Sequence, residues 1–220
     1  NSPNNPTGQI YSREELAGLG ELLGTAGRKF GTVIYLVADE PYRKIVYDGA
    51  EVPSIFQATN NAILVSSYSK DLSLPGERIG YIAVHPEVTD KMPLLGAMTL
   101  ANRILGFVNA PALMQRVVAR LQGVTVDNSI YARRRQAFCR VLSEAGYEFV
   151  PPKGAFYLFP KSPIEDDAKF CGLLQEEKIL AVPGRGFGLP GYFRLAFCVD
   201  DAVIERSAEP FKRAMAAAKK

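Results

Sequence analysis

Two continuous apolar runs, each leading to an ionisable side chain, constrain the fold of this chain most strongly. The run TVIYLVAD ends at Asp39, and the run NAILVSSYS ends just before Lys70. Runs of this kind are typical of strands in a parallel sheet, because both faces of such a sheet are covered. Ligands of open α/β sheets bind outside the carboxyl ends of the strands. If the two strands are neighbours, about 4.8 Å apart, Asp39 and Lys70 project into one crevice.

Local patterns around these runs predict further elements of an α/β unit. Ser12 and Glu15 fit the Ser-x-x-Glu capping box, and apolar residues then recur at helical spacing, which predicts a helix from about Ser12 to Lys29. The third apolar run, GYIAVHP, follows Lys70 too closely for a crossover helix. It is therefore predicted to lie antiparallel to its predecessor or at some distance from it.

The pattern is helical from Pro86 to about Gly146, where Gly146 is predicted as the C′ residue of a long helix. Short strands are then predicted at YEFV, GAFYLFP, ILAVP and YFRLAFCV. Amphipathic helices are predicted at EDDAKFCGLLQEEK and in the C-terminal segment from Asp200.

These elements predict an α/β fold class with two domains. The first is part of a larger domain, a truncated and mostly parallel sheet with helices, and the second is a small α+β C-terminal domain. We place the boundary at residues 124–128. Residues 1–125 are then assigned to the larger domain, and residues 126–220 to an interdomain helix and the small domain.

Composition excludes several classes of function. The net charge of +3 is too small to indicate nucleic acid or a membrane surface as partner. Three widely spaced cysteines are typical of reduced thiols and predict a cytoplasmic protein. No apolar run approaches the roughly 20 residues that span a bilayer. The single histidine, His85, argues against a His-rich metal site, and we predict no metal.

Cations near Lys70 and on a later strand indicate sites for anions. Ser67 and Arg78 flank Lys70, and the planar guanidinium of an arginine suits a phosphate group. Arg194 lies in the middle of a predicted strand, where a buried arginine without an anion is costly. Other interpretations stay open, since Asp39 could instead cap a helix.

Three further features are given less weight. Residues 186–191, GFGLPG, spell GxGxxG, but Pro190 interrupts them and a strand follows, so they are interpreted as a flexible loop leading to Arg194 and not as a dinucleotide fingerprint. Residues 133–135, three arginines, are interpreted as a helix face in contact with solvent and a neighbouring domain. Glu40 is interpreted as a solvated carboxylate.

Four motifs, taken in order, resemble the successive signatures of class I/II pyridoxal-phosphate-dependent aminotransferases of fold type I. They are NNPTG (4–8), DEPY (39–42), SYSKDLSLPGERIGY (67–81) and FRLAF (193–197). The match extends over nearly the whole chain. Chains of this family are much longer, so this one resembles their C-terminal portion without the N-terminal part.

The resemblance implies pyridoxal 5'-phosphate as cofactor and a role for each matching residue. Lys70 would form a Schiff base with the cofactor and later move a proton, while Asp39 would keep the pyridine nitrogen protonated. Arg194 would bind the α-carboxylate of the substrate. The remaining implied contacts are Asn5 and Tyr42 with the phenolic oxygen, and Ser67 and Arg78 with the phosphate. From its residue type alone, Asn5 before Pro6 is equally typical of a turn, and Tyr42 stays ambiguous.

The function implied is that of an enzyme, an aminotransferase acting between an amino acid and a 2-oxo acid. Two alternatives with the same cofactor are a carbon–sulfur β-lyase and the sensing domain of a transcription regulator. The resemblance also implies a homodimeric parent protein. For the chain as a fragment, we expect weak cofactor binding and poor turnover.

Overall fold

A computed structural model describes residues 1–219, which form two compact units. Unit 1 comprises Asn1–Ser2, Ile10–Lys44 and Glu51–Val126. Unit 2 comprises Pro3–Gln9, Ile45–Ala50 and the chain from Asp127 onward. The units therefore divide between Val126 and Asp127, with two short early segments belonging to unit 2. The assignment of residues 1–125 and 126–220 to two functional domains stays a prediction.

Unit 1 is a small α/β unit with one sheet. Its helices are α1 (Arg13–Phe30), α2 (Tyr68–Asp71), α3 (Lys91–Ile104) and α4 (Ala112–Arg120), and its strands are β1 (Leu36–Asp39), β2 (Ala62–Ser67) and β3 (Gly80–Val84). The strand order is β1-β2-β3. β1 pairs with β2 in parallel, and β3 pairs with β2 in antiparallel orientation. Both predicted orientations are confirmed.

Helix α1 begins where its capping box predicts. The Ser12 hydroxyl accepts a hydrogen bond from Glu15 N at 3.1 Å, and the Glu15 carboxylate accepts one from Ser12 N at 2.7 Å. Gly31 ends the helix in the left-handed conformation, with φ of 62°. The helix buries Leu16 in a cluster with Ala38, Ile55 and Ala62, which lie on β1, the following turn and β2. Apolar burial thus fixes α1 to one face of the sheet.

The opposite face of the sheet is more open than the apolar runs predict. Val37 on β1 is 58% exposed, and Ile82 on β3 is 50% exposed. The expectation that β1 is covered on both faces is therefore wrong for the part of the chain described here. α1 covers only the face that carries Ala38 and Ala62, and β1 and β3 are both edge strands.

Unit 2 combines helices with a small antiparallel sheet. Its helices are α5 (Asn128–Glu144), α6 (Asp167–Glu176), α7 (Asp201–Arg206) and α8 (Ala208–Ala218), and its strands are β4 (Tyr157–Leu158), β5 (Val182–Pro183) and β6 (Phe193–Ala196). The strand order is β4-β6-β5. Three of the four predicted strands are confirmed, whereas YEFV (147–150) forms no strand. Its first residue, Tyr147, is buried and donates a hydrogen bond to Phe211 O at 3.0 Å.

The predicted long helix before Gly146 is α5, and a separate, shorter helix, α4, precedes it. Helix α4 ends before Gly123, which has φ of 85°, and α5 begins after Asp127, whose carboxylate accepts a hydrogen bond from Ser129 N at 2.9 Å. The left-handed glycine and the new N-cap separate the two segments. The predicted end is confirmed, since Gly146 follows α5 with φ of 84°.

Aromatic side chains form the centre of unit 2. Phe193 of β6 lies 5.2 Å from Phe170 and 5.8 Å from Tyr147, measured between ring centroids. Tyr147 in turn lies 5.6 Å from Phe211. Fully buried rings of this size contribute much of the apolar area removed from water. They fix β6 against helices α6 and α8.

The early segments 3–9 and 45–50 join unit 2 through backbone hydrogen bonds. Lys153 N donates to Gly8 O at 2.8 Å, and Ala155 N donates to Ile45 O at 2.9 Å. Gly8 has φ of 68°, and a Cβ there would lie 2.2 Å from Pro152 Cβ. Only glycine fits this approach, so the NNPTG motif is held against the chain that precedes β4.

Candidate active site

Asp39 lies at the carboxyl end of β1, beside Val65 of β2. Because side chains alternate along a strand, Asp39, Val65 and Ser67 share one face of the sheet. The Asp39 side chain is exposed. Asn1 Nδ2 donates a hydrogen bond to Asp39 O at 2.7 Å and lies 3.4 Å from its Oδ2. Asp39 is thus a surface carboxylate on unit 1, held at a defined position.

Lys70 lies in α2, the single helical turn that follows β2 directly. Its side chain is half-buried. The turn starts after Ser67, whose Cα pairs with Gly80 on β3, and Tyr68 N donates to Ile79 O at 3.2 Å. The chain therefore leaves the sheet at Ser67, presents Lys70, and returns to the sheet at the same level.

Arg78 lies in the returning segment, two residues before Gly80. It adopts the left-handed conformation with φ of 50°, and its side chain is exposed. Arg78 Nη1 donates to Pro75 O at 2.8 Å. This contact holds the guanidinium over its own turn and leaves other N–H donors for a ligand. Ser67, Lys70 and Arg78 are brought together at the backbone level by the β2–β3 pairing.

Glu40 is buried, with 2% of its surface exposed, so its interpretation as a solvated carboxylate is wrong. Arg43 Nη1 lies 2.7 Å from Glu40 Oε2, and Ser66 Oγ donates to Glu40 O at 3.1 Å. Strand alternation places Glu40 on the face opposite Asp39. The two adjacent carboxylates therefore differ in environment, one exposed and one paired. Tyr42, which follows them, is buried as well.

An ion pair with one buried partner, which sequence reasoning missed, anchors the turn that carries Lys70. Asp71 is 7% exposed, and its carboxylate lies 3.0 Å from Lys44 Nζ. The backbone carbonyl of Asp71 accepts hydrogen bonds from Val126 N at 2.7 Å and Thr125 Oγ1 at 3.2 Å. No local pattern indicates these contacts, since the partners lie far away in sequence.

A cavity of about 380 Å³ opens beside this ion pair. Its lining includes Glu40, Arg43, Lys44, Ser66 and Asp71. None of the residues predicted for the cofactor or the substrate lines it. The carboxyl-end residues Asp39 and Ser67 lie on the other face of the sheet, so the cavity is not the candidate site.

In unit 2, Arg194 lies on β6 between two buried residues, Phe193 and Leu195. Alternation turns the half-buried arginine to the opposite side. Its Nη1 donates a hydrogen bond to Asn5 Oδ1 at 2.9 Å. Its Cζ lies 4.6 Å from the ring centroid of Tyr157 and 4.8 Å from that of Phe187. Sequence reasoning missed both rings.

Within residues 1–219, no carboxylate lies within 4.0 Å of the Arg194 guanidinium. Its contacts are an amide oxygen and two aromatic rings. Such a cation retains the capacity to bind an anion, and a planar carboxylate matches its donors.

The remaining patterns have other roles. Arg133 and Arg134 pair with Asp201 at 2.9 and 2.7 Å, and their hydrogen bonds lower the pKa of that carboxyl group. Arg135 is 8% exposed and pairs with Asp48 at 2.6 Å. The interpretation of residues 133–135 as a solvent-exposed helix face is therefore wrong for this arginine. The GFGLPG segment, residues 186–191, begins within the 3-10 turn Gly184–Phe187 and opens no α-helix.

The part of the chain that the structure describes contains no group of three or more His, Cys, Asp or Glu side chains suited to a metal ion. It also contains no helix with the length and apolar character needed to cross a bilayer.

Comparisons with known proteins find relatives that match nearly the whole chain. The profile of the family described as "Aminotransferase class I and II" matches residues 1–211. An aspartate aminotransferase of Thermotoga maritima is 34% identical over 97% of this chain and 53% of its own length. One from Bacillus subtilis is 32% identical, covering 97% of this chain and 56% of the relative.

Solved structures show the same likeness. A crystal structure of an amino transferase from Eubacterium rectale superposes with a TM-score of 0.96 and 43% identity, covering 100% of this chain and 55% of that chain. The chain thus spans about half the length of the curated relatives it matches.

Proposed function

Because the chain belongs to the class I and II aminotransferase family, we propose that it binds pyridoxal 5'-phosphate through Lys70 and acts in amino-group transfer between an amino acid and a 2-oxo acid. One observation carries the proposal: Asp39 ends β1 and the turn bearing Lys70 follows β2, at the carboxyl ends of two adjacent parallel strands. That is where open α/β sheets bind their ligands.

The side chains at this edge of unit 1 suit the cofactor chemically. Lys70 offers a primary amine, Asp39 an exposed carboxylate, and Ser67 and Arg78 donors for a phosphate group. Pyridoxal phosphate, when bound, supplies an electrophilic carbonyl carbon and an electron-withdrawing ring. Together these groups match an amine-reactive, anionic, aromatic ligand that also carries a ring nitrogen.

Each residue has a separate task in this proposal. Lys70 attaches the cofactor and, once its amine is free, moves a proton at the Cα atom of the substrate. Asp39 holds a proton on the ring nitrogen, because a nearby negative charge favours the charged form of a base. Ser67 and Arg78 fix the phosphate end. The ion pair of Lys44 with Asp71 keeps the turn in place.

In unit 2, Arg194 is the proposed binding group for the α-carboxylate of the substrate. The Asn5 amide oxygen accepts a hydrogen bond from Arg194 Nη1, and this bond orients the guanidinium. A bidentate arginine–carboxylate pair would fix the orientation of the substrate, which contributes to rate. Contacts of Asn5 and Tyr42 with the phenolic oxygen of the cofactor stay predictions.

The test is covalent labelling of the purified chain. After incubation with pyridoxal phosphate and reduction with borohydride, peptide mapping should locate the label on Lys70, and Lys70→Ala should lose it. Lys91→Ala, which changes an exposed lysine of α3, is the matched control and should retain the label. Label on another lysine, or label that persists in Lys70→Ala, would contradict the proposal.

Amino transfer is tested with L-aspartate as the first donor and a 2-oxo acid as acceptor, since the relatives are named aspartate aminotransferases. A carbon–sulfur β-lyase would release pyruvate and ammonia from cystathionine without an acceptor. For the sensing domain of a transcription regulator, we would expect binding without turnover. The names of the relatives support transamination over both alternatives.

The remaining proposals concern the whole protein. A homodimer and a cytoplasmic location stay predictions, and the three cysteines are unpaired in the structure. Because the chain spans about half of its relatives, turnover is proposed for the protein that contains these residues. Labelling of Lys70 is proposed for the chain itself.

A further inference from the structure

The loop between β5 and β6 brings an aromatic ring to the guanidinium of Arg194. Phe187 is the last residue of the 3-10 turn Gly184–Phe187, and its ring centroid lies 4.8 Å from Arg194 Cζ. Aromatic faces attract a guanidinium and stack on its plane. The loop that resembles a glycine-rich motif in sequence thus contacts the proposed carboxylate-binding group.

Two carboxylates anchor this turn. Asp167 is completely buried, and it accepts hydrogen bonds from Arg185 N at 2.7 Å and Arg185 Nε at 2.5 Å. Arg185 Nη2 also donates to Asp166 Oδ1 at 2.5 Å. Charge-assisted hydrogen bonds of this kind are about twice as strong as neutral ones. Arg185 lies two residues before Phe187, so the start of α6 restrains the position of the ring.

Other contacts hold the loop from its far end. Gly184 N donates to Tyr192 O at 2.7 Å, and Leu189 N donates to Gly184 O at 3.1 Å. A Cβ on Gly184 would lie 2.4 Å from Leu189 O, so the closure needs glycine. Phe187 also meets Phe159 edge to face at 6.1 Å. The ring is therefore held on several sides.

We propose that Phe187 is a positioning residue for carboxylate binding by Arg194. The Asp167–Arg185 pair holds the loop, and the loop holds the ring against the guanidinium. The ring restricts the planes that the guanidinium can adopt, so that its donors meet a carboxylate in the bidentate arrangement. This inference rests on the proposed role of Arg194 and assigns a task to a loop that otherwise has none.

The experiment observes Arg194 directly by nuclear magnetic resonance. The chain is labelled with ¹⁵N-arginine, and the Nε–Hε signal of Arg194 is assigned through its loss in Arg194→Lys. The probe is maleate, a small dicarboxylate, added to the wild-type chain and to Phe187→Leu and Phe187→Tyr. Phe107→Leu is the matched control, because Phe107 is 71% exposed and lies outside the loop.

For the wild-type chain, we expect a saturable shift of the Arg194 signal. Phe187→Leu should move that signal in the absence of maleate, through loss of the ring current, and weaken maleate binding roughly three- to tenfold. Phe187→Tyr should retain both the position of the Arg194 signal without maleate and the affinity for maleate, and Phe107→Leu should change neither. The Arg194 signal without maleate reports the contact between ring and guanidinium itself, and a ring that only filled space away from the guanidinium would not shift it.

Two outcomes would overturn the inference and can be told apart. If the wild-type signal responds to maleate and Phe187→Leu binds within about twofold of wild type, only the positioning role fails. If the wild-type signal does not respond at all, the carboxylate role of Arg194 fails and the inference falls with it.

If Phe187→Leu does not fold, Arg185→Gln decides the question. That variant keeps the ring and removes the charged side-chain part of the anchor, while the backbone hydrogen bond to Asp167 stays. It should weaken maleate binding in the same direction. Unchanged binding in folded Arg185→Gln would then overturn the inference.

Discussion

The ammonium group of Lys44 lies 3.0 Å from the carboxylate of Asp71, the residue that directly follows Lys70. Asp71 is buried, and its backbone carbonyl accepts two further hydrogen bonds from residues 125 and 126. An ion pair with one buried partner restrains the turn that presents the proposed cofactor lysine. Its removal should therefore affect both folding and labelling.

We expect Lys44→Met to lower the free energy of unfolding by about 1–2 kcal/mol, since it leaves the buried Asp71 carboxylate without its cation. The rate of labelling of Lys70 by pyridoxal phosphate should also fall. Urea unfolding measures the first effect, and peptide mapping after timed borohydride reduction measures the second.

Lys212→Met is the matched control for this change. Lys212 pairs with Glu209 at 2.8 Å, but both side chains are well exposed, at 46% and 68%. Exposed pairs contribute about 0–1 kcal/mol. Equal loss of stability in the two variants would show that the Lys44–Asp71 pair has no special role.

Asp39→Asn should weaken binding of pyridoxal phosphate about tenfold or more, because the charge proposed to hold the ring nitrogen protonated is lost. The fold should be preserved, since the Asp39 side chain is exposed. A titration of the chain followed by visible absorbance measures the affinity.

Glu40→Gln is the comparison for Asp39→Asn. Because Glu40 is buried and paired with Arg43, its substitution should lower stability and leave cofactor affinity nearly unchanged once the folded fraction is accounted for. If Glu40→Gln weakened cofactor binding as much as Asp39→Asn, the assignment of Asp39 would be refuted.

Gly18 and Gly20 of α1 should respond to alanine in opposite directions. Gly18 has open space around it, so Gly18→Ala should stabilise the chain by about 0.5–1 kcal/mol through helix propensity and backbone entropy. A Cβ on Gly20 would lie 2.0 Å from Ala58 O, so Gly20→Ala should destabilise by about 1–3 kcal/mol. Urea unfolding distinguishes the two, and stabilisation by Gly20→Ala would exclude this packing of α1.

The lowered pKa of the Asp167 carboxyl group should make the stability of unit 2 depend on pH. Burial raises its pKa, but hydrogen bonds from Arg185 N and the Arg185 side chain outweigh burial and lower the pKa from its ordinary value. A lowered carboxyl pKa stabilises the fold above the unfolded value, and this contribution is lost as pH falls through the folded value. Asp167→Asn should therefore cost about 1–3 kcal/mol between about pH 5 and about pH 7, with the difference shrinking only under more acid conditions.

Denaturant unfolding of both proteins across this pH range measures the effect. Asp200→Asn serves as control, because Asp200 is 92% exposed and lies 3.8 Å from Arg134. It should change stability by no more than a few tenths of a kcal/mol. A wild-type advantage that disappeared near neutral pH would contradict the pKa assignment of Asp167.

Much of the fold is predicted by local signals in the sequence. The capping box at Ser12 predicts the start of α1, because the hydrogen bonds that make it lie within one helical turn. The short interval after Lys70 predicts the antiparallel β3 for an equally local reason, since no crossover fits. The motif order predicts the family, and the turn bearing Lys70 follows the expected strand.

Other expectations failed where the answer depended on distant partners. Glu40 and Asp39 are adjacent acidic residues, and only tertiary contacts decide which of them is buried: Glu40 is buried beside Arg43 and Ser66, whereas Asp39 is exposed. The 45–50 segment joins unit 2 through hydrogen bonds to residues about a hundred positions later. Periodicity cannot indicate such pairings.

By itself, then, the amino-acid sequence determined where most helices and strands form and which reactive side chains stand at the ends of the apolar strands, because capping, periodicity and spacing act over a few residues. Only the tertiary structure decided that Lys44 pairs with Asp71 and that Phe187 meets Arg194. Contacts of this kind join positions far apart in the chain. They exist only once burial of apolar surface has selected which segments pack together.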